Sequence, residues 1–339
     1  MKAAVLNVIK QNLDVEEREV PTPNSNEVII RQNKTGICYR DILTRDGFFP
    51  RLMTPIIPGH ELSGVITEVG EAVYGFSKGD RVTSLIYEPC GRCRNCLSGN
   101  ENLCEFKKTM GETIDGAYSS HVRINQKSLV KVPENVTDEL AAISACVTGM
   151  IIHALEFAGG ITEGSKVLIT GAGGGVGTHA IQIAKAYGAE VLAVSSSEWK
   201  KDHLYKLGAD NVLISNTDGF SKKVKEIWPG GSDIVLENTG DATFGDSFKS
   251  LGFGGRLVLV GNLNPTSVQL PLGIVILKGN VISGSISSTR NDVSRALEME
   301  RKGKIKPVIS EEISINEVNE AFEKIKRREN LGRVFIKFQ

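Results

Sequence analysis

The chain is predicted to be an α/β protein, with a doubly wound parallel six-stranded sheet joined to a mostly antiparallel β domain. Three observations predict this. Strands and helices alternate through the middle of the sequence, a glycine-rich loop follows the first strand of that series, and glycine and proline break the first 125 residues into short strands. The series starts with the β-branched run "KVLIT" (166–170), then "GAGGGVG", then the helix-like "THAIQIAKAYG", in which Ala180, Ile181 and Ala184 share a face and Gly188 is a stop. "EVLAV" (190–194), "NVLI" (211–214), "DIVLE" (233–237), "RLVLVG" (256–261) and "VISGS" (281–285) supply five more strands. The helical stretches "WKKDHLYKLG" and "FSKKVKEIW" lie between them. Six strands are what a full dinucleotide-binding unit, a Rossmann fold, requires.

Outside that series the pattern changes. "AAVLNV", "EVIIRQ", "GVITEVG" and "RVTSLIY" are short strands with little helix between them, as in a partly barrel-like β domain. After residue 286 come two helical stretches, "DVSRALEMERKG" and "NEVNEAFEKIKRREN", and a final strand "GRVFIKF". At 339 residues the chain is long enough for two cores. Forty basic residues balance forty acidic ones, which argues against a dedicated nucleic-acid or anionic-membrane surface. No apolar run approaches the roughly 18 to 20 residues a membrane span needs. The start, "MKAAVLNVIK", lacks the apolar core of a signal peptide, so a cytoplasmic location is expected.

Four of the six cysteines fall in "CGRCRNCLSGNENLC" (90–104). Cys90, Cys93, Cys96 and Cys104 could form disulfides, a redox relay or a metal site. In a reducing compartment, thiols this clustered point to a metal. Four thiolates suit zinc in a closed tetrahedral shell that leaves no position for substrate. The loop has little core of its own, so the metal would supply its folding energy and take no part in the chemistry.

The glycine loop follows a strand and opens a helix, the context that makes such a fingerprint credible. Counting back from Gly177 gives Ala172-x-Gly174-x-x-Gly177, with Gly175 and Val176 between the last two glycines. Backbone N–H groups at a helix N-terminus would face a pyrophosphate there. At the end of the second strand, where an Asp or Glu would bind the ribose of NAD, stand Ser195, Ser196 and Ser197, with Lys200 close behind. Hydroxyls and a cation suit a 2′-phosphate, so NADP(H) is expected over NAD(H). Glu198 is the counter-argument, since it could turn inward.

"GICYRD" (36–41), "PGHELSGVITEVG" (58–70), "GDRV" (79–82), the cysteine loop, the glycine loop and "GRVFIKF" together resemble the zinc-containing alcohol dehydrogenase family, the medium-chain dehydrogenase/reductases, over essentially the whole chain. The resemblance implies a discontinuous GroES-like catalytic domain from residues 1–146 and 287–339, with a structural zinc loop at 88–106. It implies a Rossmann domain at 147–286 and a homodimer or homotetramer acting on a small molecule. It also implies a catalytic zinc, with Cys38 and His60 as ligands, Glu61 as an alternative ligand and Asp41 orienting the histidine. Without the resemblance, Cys38 and His60 would read as a packed cysteine and a satisfied histidine. Thr148 and Arg333 fall on further cofactor positions.

Two departures stand out. With Thr148 at the family's threonine position, the third ligand position falls on Ser144, and the available thiol, Cys146, lies two residues later. It is either a ligand on a reshaped turn or a core cysteine. The family's proton-relaying hydroxyl is replaced by Arg40, which cannot pass a proton at neutral pH but can bind an anion or stabilise an oxyanion. The lost relay, the Ala-x-Gly-x-x-Gly loop and the NADP-like strand end resemble the branch that reduces polarised C=C bonds. The expectation is hydride transfer from NADPH to a short enoyl-CoA, with bound water or Tyr39 as proton donor. The alternatives are a zinc alcohol dehydrogenase or carbonyl reductase, and a nucleotide- and zinc-binding protein without turnover.

Overall fold

The computed structural model describes residues 1–215, 219–264 and 266–338. The chain divides into two units: residues 1–149, 287–303 and 309–339, and residues 150–286 with 304–308.

The first unit is built on a long central strand, Glu27–Ile37, whose apolar residues Val28, Ile29 and Ile30 are buried. It pairs antiparallel with Glu61–Val69, with His121–Asn125 and, near its end, with Arg333–Lys337. Arg81–Ser84 and Leu129–Lys131 extend the sheet on one side. Ile309–Ile313 closes the other side as the one parallel pairing in this sheet. The stretch "RVTSLIY" is therefore two strands, Arg81–Ser84 and Tyr87–Glu88, in different sheets. One core packs Val28, Ile30, Leu62, Ile66 and Val82, and a second packs Leu6, Ile37, Ile42, Phe322 and Ile336. Each such fully buried side chain contributes about 1.5–3 kcal/mol over an exposed one.

In the second unit six strands run parallel in the order Asn211–Ile214, Glu190–Ser195, Lys166–Ile169, Ser232–Glu237, Leu251–Leu259 and Val281–Gly284. Counted along the chain this is 3-2-1-4-5-6, the Rossmann order, and the order reverses between the first and fourth strands. The runs of the central strands Lys166–Ile169, Glu190–Ser195 and Ser232–Glu237 are mostly buried, as a sheet covered by helices requires. Helix Gly175–Ala186 is buried at Thr178 through Ala184, well beyond the single face read from its period, and Gly188 ends it at φ +77°. Residues 304–308 return to this helix: the Lys306 N–H donates to Gln182 Oε1 at 3.0 Å and the Val308 N–H to His179 Nε2 at 3.1 Å.

The expectation of no membrane-length apolar segment needs correcting. The helix Asp138–Ala158, 21 residues long, passes that test by length and composition, with 78% of its apolar window buried in the protein. Alanine, serine, threonine and glycine interrupt its larger side chains, so it does not read as a continuous apolar run. Its burial is that of a core helix.

Candidate active site and zinc-binding clusters

Register brings the first cluster together. Gly36 lies opposite Glu61 in the central ladder and Val334 opposite Ile37. Cys38, His60, Glu61 and Arg333 thus meet where three strands end. Helix Tyr39–Arg45 starts directly after Cys38. Asp41, in its first turn, accepts the Cys38 N–H at 3.0 Å through Oδ2. Asp41 Oδ1 lies 3.0 Å from His60 Nδ1, and Tyr118 donates its hydroxyl to Oδ2 at 2.7 Å. The imidazole is thereby fixed with Nδ1–H toward the carboxylate and Nε2 toward the sulfurs. Tyr118 carries no motif that sequence reasoning could have used.

Cys146 joins this cluster. Its sulfur lies 3.2 Å from His60 Nε2 and 4.0 Å from Cys38 Sγ. The helix opens into a π turn over Ser144–Thr148, which rotates the residues that follow relative to an α-helical register. Ser144, at the expected ligand position, is buried and donates its hydroxyl to the Ala141 carbonyl at 2.7 Å. Ligand atoms of Cys38, His60, Glu61 and Cys146 all lie within 4.8 Å of one another.

Glu61 is fully buried and neither oxygen makes an aligned hydrogen bond, although Arg333 Nη2 lies 3.1 Å from Oε1 as an ion pair. Arg333 Nη1 donates to the Ile37 carbonyl at 3.0 Å. A Cβ at residue 36 would overlap Glu61 Oε2, so only glycine leaves the carboxylate its place. Charges in the cluster are strongly coupled. A hydrogen bond from Cys146 holds the Cys38 thiol well below its usual range against the opposing burial, and the same contact plus burial pushes Cys146 up. Burial would lower His60, but the Asp41 carboxylate outweighs it and raises the ring to about 10. Burial raises Glu61 to about 7 despite Arg333. A buried group of two thiols, an imidazole and a carboxylate with orphaned oxygens fits a zinc ion, which would replace the protons these groups now share.

Arg40 points elsewhere. Its Nη2 donates to Glu112 Oε2 at 2.6 Å, and its guanidinium stacks 4.3 Å from the Phe49 ring centroid. Tyr39 is partly buried, and burial followed by the Asp46 charge raises its phenol. Of the remaining histidines, His179 is held by the Gly175 carbonyl at 2.7 Å, His153 stacks on Phe157, His121 contacts Ser120 and His203 lies edge-on to Trp199.

The second cluster is local. Cys93 opens a short helix, Arg94–Leu97, and Gly91 and Gly99 turn the chain at φ +76° and +78°. Ligand atoms of Cys90, Cys93, Cys96 and Cys104 also lie within 4.8 Å of one another, with sulfur separations of 3.5 Å for Cys93–Cys96 and 3.9 Å for Cys90–Cys96. N–H groups of Cys90 and Cys93 point at the Cys104 and Cys90 sulfurs, each at 3.4 Å. All six cysteines are free thiols.

In the nucleotide unit, Gly174 caps helix Gly175–Ala186, and a Cβ at Gly177 would overlap Ala172 Cα. That close approach requires glycine, and the loop with Val176 and Gly175 presents its N–H groups as a phosphate cradle. Ser195 ends its strand buried, and its Oγ accepts the Ser197 N–H at 3.2 Å; Ser196 is partly buried. Lys200 is buried, and a Cβ at Gly173 would come within 3.5 Å of its Nζ. Glu198 faces solvent, its side chain 73% exposed, and pairs with Lys201. The phosphate cradle fits a nicotinamide dinucleotide. In the first unit, Thr148 is buried with its hydroxyl unpartnered among the described residues.

Residues 24–134 match the model of the alcohol dehydrogenase GroES-like domain, and residues 175–301 match that of the zinc-binding dehydrogenase. The chain belongs to the zinc-containing alcohol dehydrogenase family, and is an oxidoreductase of that family. Within it, the chain is similar to acryloyl-coenzyme A reductase of Sulfurisphaera tokodaii, 43% identical over 338 residues that cover 99% of this chain and 100% of the relative. An alcohol dehydrogenase of Geobacillus stearothermophilus is 37% identical over 339 residues, 99% of each chain. Among solved structures, the crystal structure of AibC superposes with a TM-score of 0.93 at 36% identity, covering 99% of this chain and 95% of that one.

Proposed function

We propose that the protein is an NADPH-dependent reductase that transfers hydride to the β-carbon of a short enoyl-CoA such as acryloyl-CoA. The observation that carries this reading is Arg40. The position of the family's relay hydroxyl holds an ion-paired guanidinium, which cannot take a proton from an alcohol. The name of the Sulfurisphaera relative points the same way. When bound, NADPH supplies the hydride, and zinc supplies a Lewis acid for the thioester carbonyl.

Cys38, His60 and Cys146 are the proposed ligands of that zinc, with Glu61 as a reserve donor held back by Arg333. Asp41 holds His60 in the ligating tautomer, and Tyr118 and the Cys38 N–H hold Asp41. Cys90, Cys93, Cys96 and Cys104 are proposed to carry the structural zinc. The glycine loop, Thr148 and Lys200 would bind the dinucleotide. Ser195 with Ser196 and Ser197 would admit a 2′-phosphate that a carboxylate would repel, and Glu198 does not intrude. Tyr39 or water would protonate the α-carbon.

A cytoplasmic location fits six free thiols. A homodimer or homotetramer fits the exposed apolar helix Leu272–Lys278, where Ile276 and Leu277 are 78% and 79% exposed. Light scattering of the pure protein tests the oligomer.

A second reading, zinc alcohol dehydrogenase or carbonyl reductase, is favoured by the convergence of Cys38, His60 and Cys146. One preparation separates the two: NADPH oxidation is measured with enoyl-CoAs and with aldehydes, alongside a zinc count. Turnover of enoyl-CoAs is expected, and turnover of aldehydes alone overturns the first reading. Ser195→Asp should move preference toward NADH by roughly tenfold or more; an unchanged NADPH to NADH ratio of kcat/KM would place the 2′-phosphate elsewhere.

A further inference from the structure

Away from the cysteine–histidine cluster, the first unit sets two arginines on one carboxylate. Arg40 and Arg51 both reach Glu112, at 2.6 and 3.4 Å. Lys107 sits close enough that, after burial, the Arg51 and Arg40 charges lower its ammonium below the usual lysine range, opposed by Cys104 and Glu112. Its Nζ donates to the Asn102 carbonyl at 2.5 Å and lies 5.4 Å from the Tyr87 ring centroid. Two guanidinium groups share the single carboxylate of Glu112, so positive charge exceeds negative in this group, in a chain whose formal net charge is zero. Arg40 Nη1 is buried with no partner among the described residues.

Exposed apolar side chains adjoin these cations. Phe48 stands edge-on to Phe49, the ring beneath Arg40, at 5.2 Å. The Met53 N–H donates to the Glu112 carbonyl at 3.1 Å, and Met53 is 65% exposed. Phe106, next to Lys107, is 68% exposed. A simple carboxylate or carbonyl substrate uses neither this surplus of positive charge nor this apolar rim. A ligand with several phosphates, an aromatic base and an apolar arm uses both, because guanidinium forks pair with phosphate oxygens and aromatic faces take a base.

We propose that Arg51, Lys107 and the unpaired edge of Arg40 bind the phosphates of the coenzyme A half of the substrate, with Met53 and Phe106 flanking its adenine and pantetheine. Glu112 holds the two arginines in place for that role. The inference rests on the enoyl-CoA reading.

Free coenzyme A, titrated calorimetrically into the zinc-loaded protein, tests it. Arg51→Ala and Lys107→Ala should each weaken binding roughly tenfold, and added salt should weaken the wild type. Arg51→Lys keeps the charge and should restore most of the affinity, while circular dichroism and zinc content check the fold of each variant. In parallel, the alanine variants should lower the ratio of kcat/KM for acryloyl-CoA to that for the phosphate-free N-acetylcysteamine thioester, again roughly tenfold. Unchanged coenzyme A affinity in both alanine variants overturns the proposal. Turnover of both thioesters without coenzyme A binding overturns the cradle and leaves the reductase reading standing. Coenzyme A binding that depends on Arg51 and Lys107, with neither thioester turned over, upholds the cradle and removes the reductase reading.

Discussion

The two four-donor clusters are built in opposite ways. Cys90, Cys93, Cys96 and Cys104 come from 15 consecutive residues and sit in a loop whose Leu97 and Leu103 are 75% and 50% exposed. Cys38, His60, Glu61 and Cys146 come from two strand ends and a helix, and Ile37, Ile42, Ile57 and Ala145 are almost fully buried. The first has sulfur where a domain would have a core. The second has a core already and adds mixed donors, a positioned imidazole and a spare carboxylate. A cluster whose ligands replace a core serves stability, whereas one held rigidly by other elements is free to do chemistry.

Four substitutions would break or sharpen this contrast. Cys96→Ser should have the largest effect on the fold. Zinc fingers take about 10–16 kcal/mol from their metal, and losing even part of that should lower Tm by roughly 10 °C or more and remove one zinc per chain. Calorimetry with a metal count checks it; an unchanged Tm would mean that the loop is self-sufficient. Cys146→Ser should also remove one zinc, yet shift Tm by less than about 3 °C while lowering kcat/KM roughly a thousandfold. Equal Tm losses in the two serine variants would erase the distinction. Asp41→Asn keeps the shape of the residue that orients His60, and should weaken zinc affinity at the buried cluster by roughly 10–100-fold in chelator competition. Leu97→Ser, on the loop, should change stability by less than about 0.5 kcal/mol in urea unfolding, because no apolar packing is lost. A larger cost would reveal a core that its exposure denies.

The same contrast explains what could be read in advance. The cysteine loop was legible because its ligands are neighbours in sequence, and the parallel sheet because each buried strand is a short β-branched run. Cys38, His60 and Asp41 were legible through a family pattern, since a separation of 22 positions between Cys38 and His60 says nothing until the ladder sets Gly36 opposite Glu61. Cys146 stayed open because spacing counts residues along a regular helix, and the π turn at Ser144–Thr148 changes the count. Tyr118 and Glu112 were invisible, as each acts on a partner more than 70 residues away. The helix Asp138–Ala158 escaped notice because it is buried on most sides and shows no single apolar stripe. "LGIVILK" forms the helix Leu272–Lys278 despite a composition suited to strands.

Gly36 has a consequence beyond local packing. Glu61 Oε2 occupies the space that a side chain on the opposite strand would fill, so the berth belongs to residue 36 as much as to residue 61. Filling it with a methyl group would force the carboxylate out of that space. One missing carbon atom thus sets where the carboxylate can stand. The vacancy at residue 36 shapes the cluster as directly as any side chain that belongs to it.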